Sequence, residues 1–143
     1  MRGYYIRPTK VTPSLYFNPK RGILDLRGRS CPENPLNFYK YLFNSLDRFA
    51  LQSEDHLRIN LAFEYFNTSS SKCLFVCLRK LSDLQSVGKT VVVNWYYETE
   101  DEDMIETGED MKSFFTIPFN FIEIEEIKIL GSLRNVSNSL NAA

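Results

Sequence analysis

Residues 57–66 alternate without a break: Leu57, Ile59, Leu61, Phe63 and Tyr65 on one side, Arg58, Asn60, Ala62, Glu64 and Phe66 on the other. A period of two sustained over this length marks a strand with one buried face. The hydroxyl run Thr68-Ser69-Ser70-Ser71 follows at once, then Leu74, Cys77, Leu78, Leu81 and Leu84 at helical spacing. Beyond Gly88, a helix stop, Val91, Val93, Trp95 and Tyr97 alternate again. Strand, helix and strand in this order predict parallel pairing through a right-handed crossover.

The flanking segments extend the unit in both directions. Ser14 to Phe17 and Ile23 to Arg27 read as two arms of a hairpin turned by Asn18-Pro19-Lys20-Arg21-Gly22. Asn34-Pro35 predicts a helix start with Asn34 as side-chain cap, and Tyr39, Leu42, Phe43, Leu46 and Phe49 give that helix one buried face. An acidic helix is expected from about Asp101 to Phe115, and a last strand from Phe121 to Ile124. The order is ββαβαβαβ. If the sheet grows in one direction, right-handed crossovers place all three helices on the same face. The alternating strands agree, because a sheet covered on both faces would show continuous apolar runs. The expected fold is α/β: a mixed sheet of about five strands with three main helices on one face. One domain is expected over residues 1–127, with a Ser/Asn-rich, flexible tail over 128–143.

Charge narrows the classes of function. Lys and Arg total 17 against 18 Asp and Glu, so nothing in the balance calls for nucleic acid. The charges are segregated, however. Residues 1–29 hold seven basic side chains against Asp25 alone, and residues 98–110 hold eight acids and no base. Two solvated faces of opposite sign account for this, with a charged docking surface as the alternative. The first residues lack the apolar core of a signal peptide, and no apolar run is long enough to span a bilayer. Three cysteines without a C-x-x-C spacing suit a reducing, cytoplasmic setting.

Catalysis is not expected. His56 is the single histidine and sits at the entrance of its strand, the edge opposite Thr68, where a Ser–His dyad is geometrically poor. Glu98 to Asp103 lack the spacing and glycine of a calcium loop and suit the start of a helix. Cys73 and Cys77 share one helical face, as small core residues do. No glycine-rich phosphate loop exists among the six glycines. No cofactor or metal is implied.

Attention therefore falls on Thr68, where a strand ends and a helix begins. A helix N-terminus offers unpaired N–H groups and a field favourable to anions. Capping explains one hydroxyl there, but the run supplies four, and these residues are poor first-turn helix formers unless something uses them.

Asn67-Thr68-Ser69-Ser70-Ser71-Lys72, Pro32-Glu33-Asn34, Asn94-Trp95-Tyr96-Tyr97 and Ile117-Pro118-Phe119 together resemble the SiaC family of bacterial regulatory phosphoproteins, from about Pro8 to Glu126. That family is similar in fold to the anti-sigma-factor antagonists. The resemblance implies phosphorylation of Thr68 by a histidine-kinase-like Ser/Thr kinase and removal of the phosphate by a PP2C-type phosphatase. It further implies that the dephosphorylated form binds and activates a diguanylate cyclase, raising cyclic di-GMP and promoting biofilm or aggregation. The expected partner surface is Glu33, Asn34, Tyr65, Asn67, Ser69, Ser70, Lys72 and Tyr96. The alternative is a constitutive interaction scaffold that uses the same surface without a phosphate.

Overall fold

A computed structural model describes residues 1–128 of the chain. Six strands form one sheet in sequence order: β1 Tyr4–Ile6, β2 Ser14–Asn18, β3 Ile23–Ser30, β4 His56–Phe66, β5 Thr90–Glu98 and β6 Phe119–Ile124. The first three pair antiparallel, and β3 to β6 pair parallel. The crossovers are α1 Leu36–Phe49, α2 Thr68–Ser86 and α3 Glu102–Lys112. Because the parallel strands advance in one direction, the three helices lie on one face. Their buried stripes meet Leu15, Phe17, Leu24, Leu26, Ile59, Leu61, Val93 and Trp95 in a single core.

The mixed sheet and its three helices match the sequence reading, but the sheet has six strands rather than five. The extra strand is β1, three residues long and cut off by Arg7-Pro8. Its own pattern is too short to announce it, and tertiary contacts hold it. The Tyr4 hydroxyl bonds Ser45 of α1, and Tyr4 packs on Phe17. The tail expected from residue 128 lies, from 129 onward, outside the described residues.

Two further expectations are corrected. Asn34 does not cap α1 through its side chain: the helix starts at Leu36 behind Pro35, without a side-chain cap bond. Backbone carbonyls do the work. Asn34 O accepts from Asn37 N–H, and Pro35 O from Phe38 and Tyr39 N–H. Proline already sits at helical φ, here -63°, so a cap adds little. The alternation of β4 also breaks near its end. Gly28 pairs Phe63 while Arg29 pairs Tyr65, which leaves Glu64 as an extra residue. This bulge inverts the side-chain phase. Tyr65 swings outward to 46% exposure, and Phe66 turns in to pack on Phe63 and Trp95.

The face opposite the three described helices carries a polar row. Register places Asp25, Asn60, Asn94 and Asn120 side by side on four strands. Asn120 Nδ2 donates to Asn94 Oδ1 (3.0 Å), Asn94 Nδ2 to Asn60 Oδ1 (3.0 Å), and Asn60 Nδ2 to Asp25 Oδ1 (3.2 Å). Arg27 closes the row with two bonds to the Asp25 carboxylate, 2.8 and 3.1 Å.

On the other face α3 lies unusually close to the sheet. A Cβ on Gly108 would come within 2.6 Å of Trp95 Nε1 and 2.8 Å of a Phe121 ring carbon. Trp95 Nε1 donates to Met104 O at 3.0 Å, fixing the indole under the helix. Only glycine permits this approach.

Candidate functional site

The turns after β3, β4 and β5 gather at the carboxyl edge of the parallel strands, the edge where α/β sheets usually place function. The turn after β4 is a single residue, Asn67. Its backbone is extended (φ -85°, ψ 175°), and Oδ1 accepts the Ser70 N–H at 2.9 Å. Asn67 N–H in turn donates to Ser30 O, which ties the cap to the end of β3. The N-cap is therefore Asn67, and Thr68 is the first helical residue. No turn of α2 precedes Thr68 and Ser69 to accept their N–H groups.

The four hydroxyls have four different environments. Thr68 and Ser69 are exposed. Ser71 Oγ folds back onto Thr68 O at 2.7 Å. Ser70 is completely buried, and its Oγ accepts from Ser30 Oγ at 2.8 Å, while Tyr39 OH lies 2.7 Å from Ser30 Oγ. Ser30 has one proton and gives it to Ser70, so Tyr39 donates to Ser30. This buried chain pins the first turn of α2 to β3 and α1. Ser70, expected on the partner surface, belongs to the core instead.

The remaining site residues divide between two faces. On the helix side, Asn34, Leu36, Phe43, Ser69, Lys72 and Val76 line a largely apolar groove of about 380 Å³ between α1 and α2. Leu36 is 59% exposed and Val76 40%, and both belong to the lining of this groove. Sequence reasoning missed them. Their signal is weak, an apolar residue off the buried stripe of its helix. Glu33 is exposed just before the groove. Tyr65 and Tyr96 lie on the face of the sheet opposite the described helices. Arg29 stacks on Tyr65 (5.2 Å from the ring centroid), and Arg27 on Tyr96 (5.7 Å). The bulge in β4 separates Tyr65 from the groove.

The acidic run forms structure rather than a cation site. Asp101 caps α3 by accepting the Met104 N–H, Glu102 and Asp103 occupy the first turn, and Glu98 accepts the Ile127 N–H. Among the described residues, no group of His, Cys, Asp and Glu is placed to hold a metal ion. His56 is exposed at the opposite edge of the sheet, bonded to Asp55. No described helix is long and apolar enough to cross a membrane.

The model of the family described as SiaC family regulatory phosphoproteins matches residues 6–124. The chain belongs to the SiaC family. An uncharacterised protein of Pseudomonas aeruginosa (strain UCBPP-PA14) is 28% identical over 119 residues, spanning 83% of this chain and 94% of its own. Crystalline apo-SiaC from Pseudomonas aeruginosa superposes with a TM-score of 0.79 at 26% identity, over 85% of this chain and 99% of its own. A second solved structure is the diguanylate cyclase SiaD in complex with its activator SiaC, from the same organism. It matches with a TM-score of 0.81 at 26% identity, over 85% and 99% of the two chains.

In this SiaC-family chain the hydroxyl chain beneath Thr68 sits in surroundings that exclude charge. Burial pushes the Tyr39 hydroxyl above its ordinary 10.0, outweighing the opposing bond to Ser30, and pushes the Cys77 thiol from 9.0 up to about 12. Both acids ionise more readily in the unfolded chain, so their contribution to stability is complete below about pH 9 and is lost as pH rises toward about 12. At ~1.4 kcal/mol per unit, Cys77 alone should remove roughly 2 kcal/mol by pH 10.5. Urea midpoints followed from pH 8 to 11 should fall steadily. A flat profile would mean that these groups reach water in the folded protein.

Proposed function

We propose that this chain is a signalling protein, not an enzyme, switched by reversible phosphorylation of Thr68, and that its unmodified form binds and activates a diguanylate cyclase. A histidine-kinase-like Ser/Thr kinase adds the phosphate, a PP2C-type phosphatase removes it, and the output is a rise in cyclic di-GMP that favours biofilm or aggregation. The setting is cytoplasmic.

The observation that carries this reading is the placement of Thr68. Its side chain is exposed at the first position of α2, Asn67 rather than Thr68 caps that helix, and Ser69 joins it to the apolar groove. An acceptor in that position is open to a kinase. The fold does not depend on its hydroxyl. Phosphate adds about -1.5 to -2 charges, next to a groove whose apolar lining favours a dry contact. Docking over the dianion requires stripping its water, which opposes binding unless the partner brings a cation. Relatedness to SiaC, named as the activator of the diguanylate cyclase SiaD, supports the class of partner.

Intact-mass measurement on the chain from its native host should reveal a species about 80 Da heavier, absent from Thr68→Ala. Pulldowns with wild type and Thr68→Ala should recover a diguanylate cyclase that Thr68→Asp fails to retain. Three identical sets of bound proteins, with no heavier species under any growth condition, would establish the constitutive scaffold instead.

A further inference from the structure

The segregated charges of the sequence come to lie at opposite ends of the sheet. Strand order puts β1 and β2, with Arg2 and Lys20 beside them, at one end, and β5, β6 and α3 at the other. At the basic end, the start of β1 and the turn after β2 enclose a cleft of about 450 Å³. Arg2, Tyr5, Tyr16, Asn18 and Lys20 are part of its lining, and no acid is. Gly3 makes the cleft possible. An added Cβ there would collide with Phe17 O and approach Asn18 Cα to 3.3 Å, so glycine lets the chain before β1 run close to β2 and bring Arg2 to the wall. Arg2 and Lys20 are exposed and form no ion pair among the described residues.

The acidic end offers what this cleft lacks. Glu106, Glu109 and Asp110 stand exposed on α3 and likewise form no ion pair among the described residues. Just beyond the helix, Phe114 is 68% exposed, its ring edge-on to Phe75 at 5.3 Å. An aromatic anchor framed by charge is the common make-up of a protein interface. Five strand spacings, about 24 Å, separate the two ends, against a screening length of about 8 Å at physiological ionic strength. Neither end therefore neutralises the other within one molecule.

We propose that the cleft receives the acidic end of α3 from a second copy of this chain, with Phe114 against Tyr16 and with Glu109 and Asp110 facing Arg2 and Lys20. A nucleic acid or an anionic membrane would suit the basic end but be repelled by the acidic one; a second copy matches both. The two surfaces differ and sit at opposite ends, so the contact is heterologous. Each added copy leaves one surface of each kind open, and copies join in a row rather than closing as a pair. The contact uses neither Thr68 nor the α1–α2 groove, so it stands apart from the switch proposed above.

Sedimentation of the untagged full chain tests this. The mean mass of wild type should rise with concentration at low salt and continue past a dimer. Association should weaken at least tenfold as the screening length falls from about 30 Å at 0.01 M salt to about 8 Å at 0.15 M. Arg2→Gln with Lys20→Gln disables the basic end, and Glu109→Gln with Asp110→Asn the acidic end. All four side chains are exposed, so each double variant should melt like wild type yet associate far more weakly. Mixed in equal amounts, the two should form a dimer and nothing larger, because each keeps the end that the other has lost. The assignment is overturned if wild type stays monomeric at low salt, if it stops at a dimer, if either variant associates as tightly as wild type, or if the mixture stays monomeric. Should a double variant unfold, Phe114→Ser supplies the second reading, with several-fold weaker association expected and unchanged association counting against the contact.

Discussion

Replacing Asp25 by alanine should lower the unfolding free energy by about 3 kcal/mol, the low end of the range for breaking a buried ion pair. Asp25 is 1% exposed and accepts from both Arg27 and Asn60. Without it, the Asn60 amide loses its acceptor and the Arg27 guanidinium is left against the sheet. Arg27 is 17% exposed at its side chain and stacks on Tyr96, so it can turn partly to water, which keeps the loss from the upper limit. Asp25→Asn should cost less, since an amide oxygen still meets Asn60. The double variant Asp25→Leu with Arg27→Met should recover much of the loss, because apolar replacement of both partners removes the uncompensated charge. Urea unfolding followed by Trp95 fluorescence measures all three. A loss under 1 kcal/mol for Asp25→Ala would mean that the polar row adds specificity of register but little stability.

That row also marks where reading the sequence stops. Asn60 is visible as a polar residue on one side of its strand, but its partners Asp25 and Asn94 lie 35 and 34 positions away, and Asn120 lies 26 positions beyond Asn94. Nothing local couples them; only the strand register does. The same distinction runs through the site. Apart from β1, the element order, the parallel core and the handover at Asn67-Thr68 were legible because they rest on local periodicity and on the handedness of crossovers. The flip of Tyr65 was not, because one inserted residue, Glu64, answers to the pairing of β3 rather than to the pattern of β4. Ser70 and Ser69 look alike in sequence, yet helix geometry turns one into the core against Ser30 and the other to solvent. Capping was anticipated for the hydroxyl run as a whole; Asn67 performs it, which releases Thr68 from that duty.

That release underlies the second large effect. Thr68→Glu should weaken binding of the proposed diguanylate cyclase partner by about 30-fold or more, equivalent to roughly 2 kcal/mol, while leaving thermal stability almost untouched. An acid in the first turn of a helix is favoured by about 0.3–1 kcal/mol, and Lys72, one turn along, adds a cation on the same side. The folded chain therefore tolerates the charge, and the loss falls on docking, where the carboxylate must be desolvated beside the groove. Ser70→Glu gives the contrast. It forces a carboxylate into a fully buried site already filled by Ser30 and Tyr39, and should unfold the domain. Ser69→Glu, exposed and on the groove wall, should behave like Thr68→Glu. Melting temperature and partner affinity, measured on the three variants together, separate fold from switch. If Thr68→Glu melted as early as Ser70→Glu, its binding defect would be a folding defect, and charge at this position could not serve as a reversible signal.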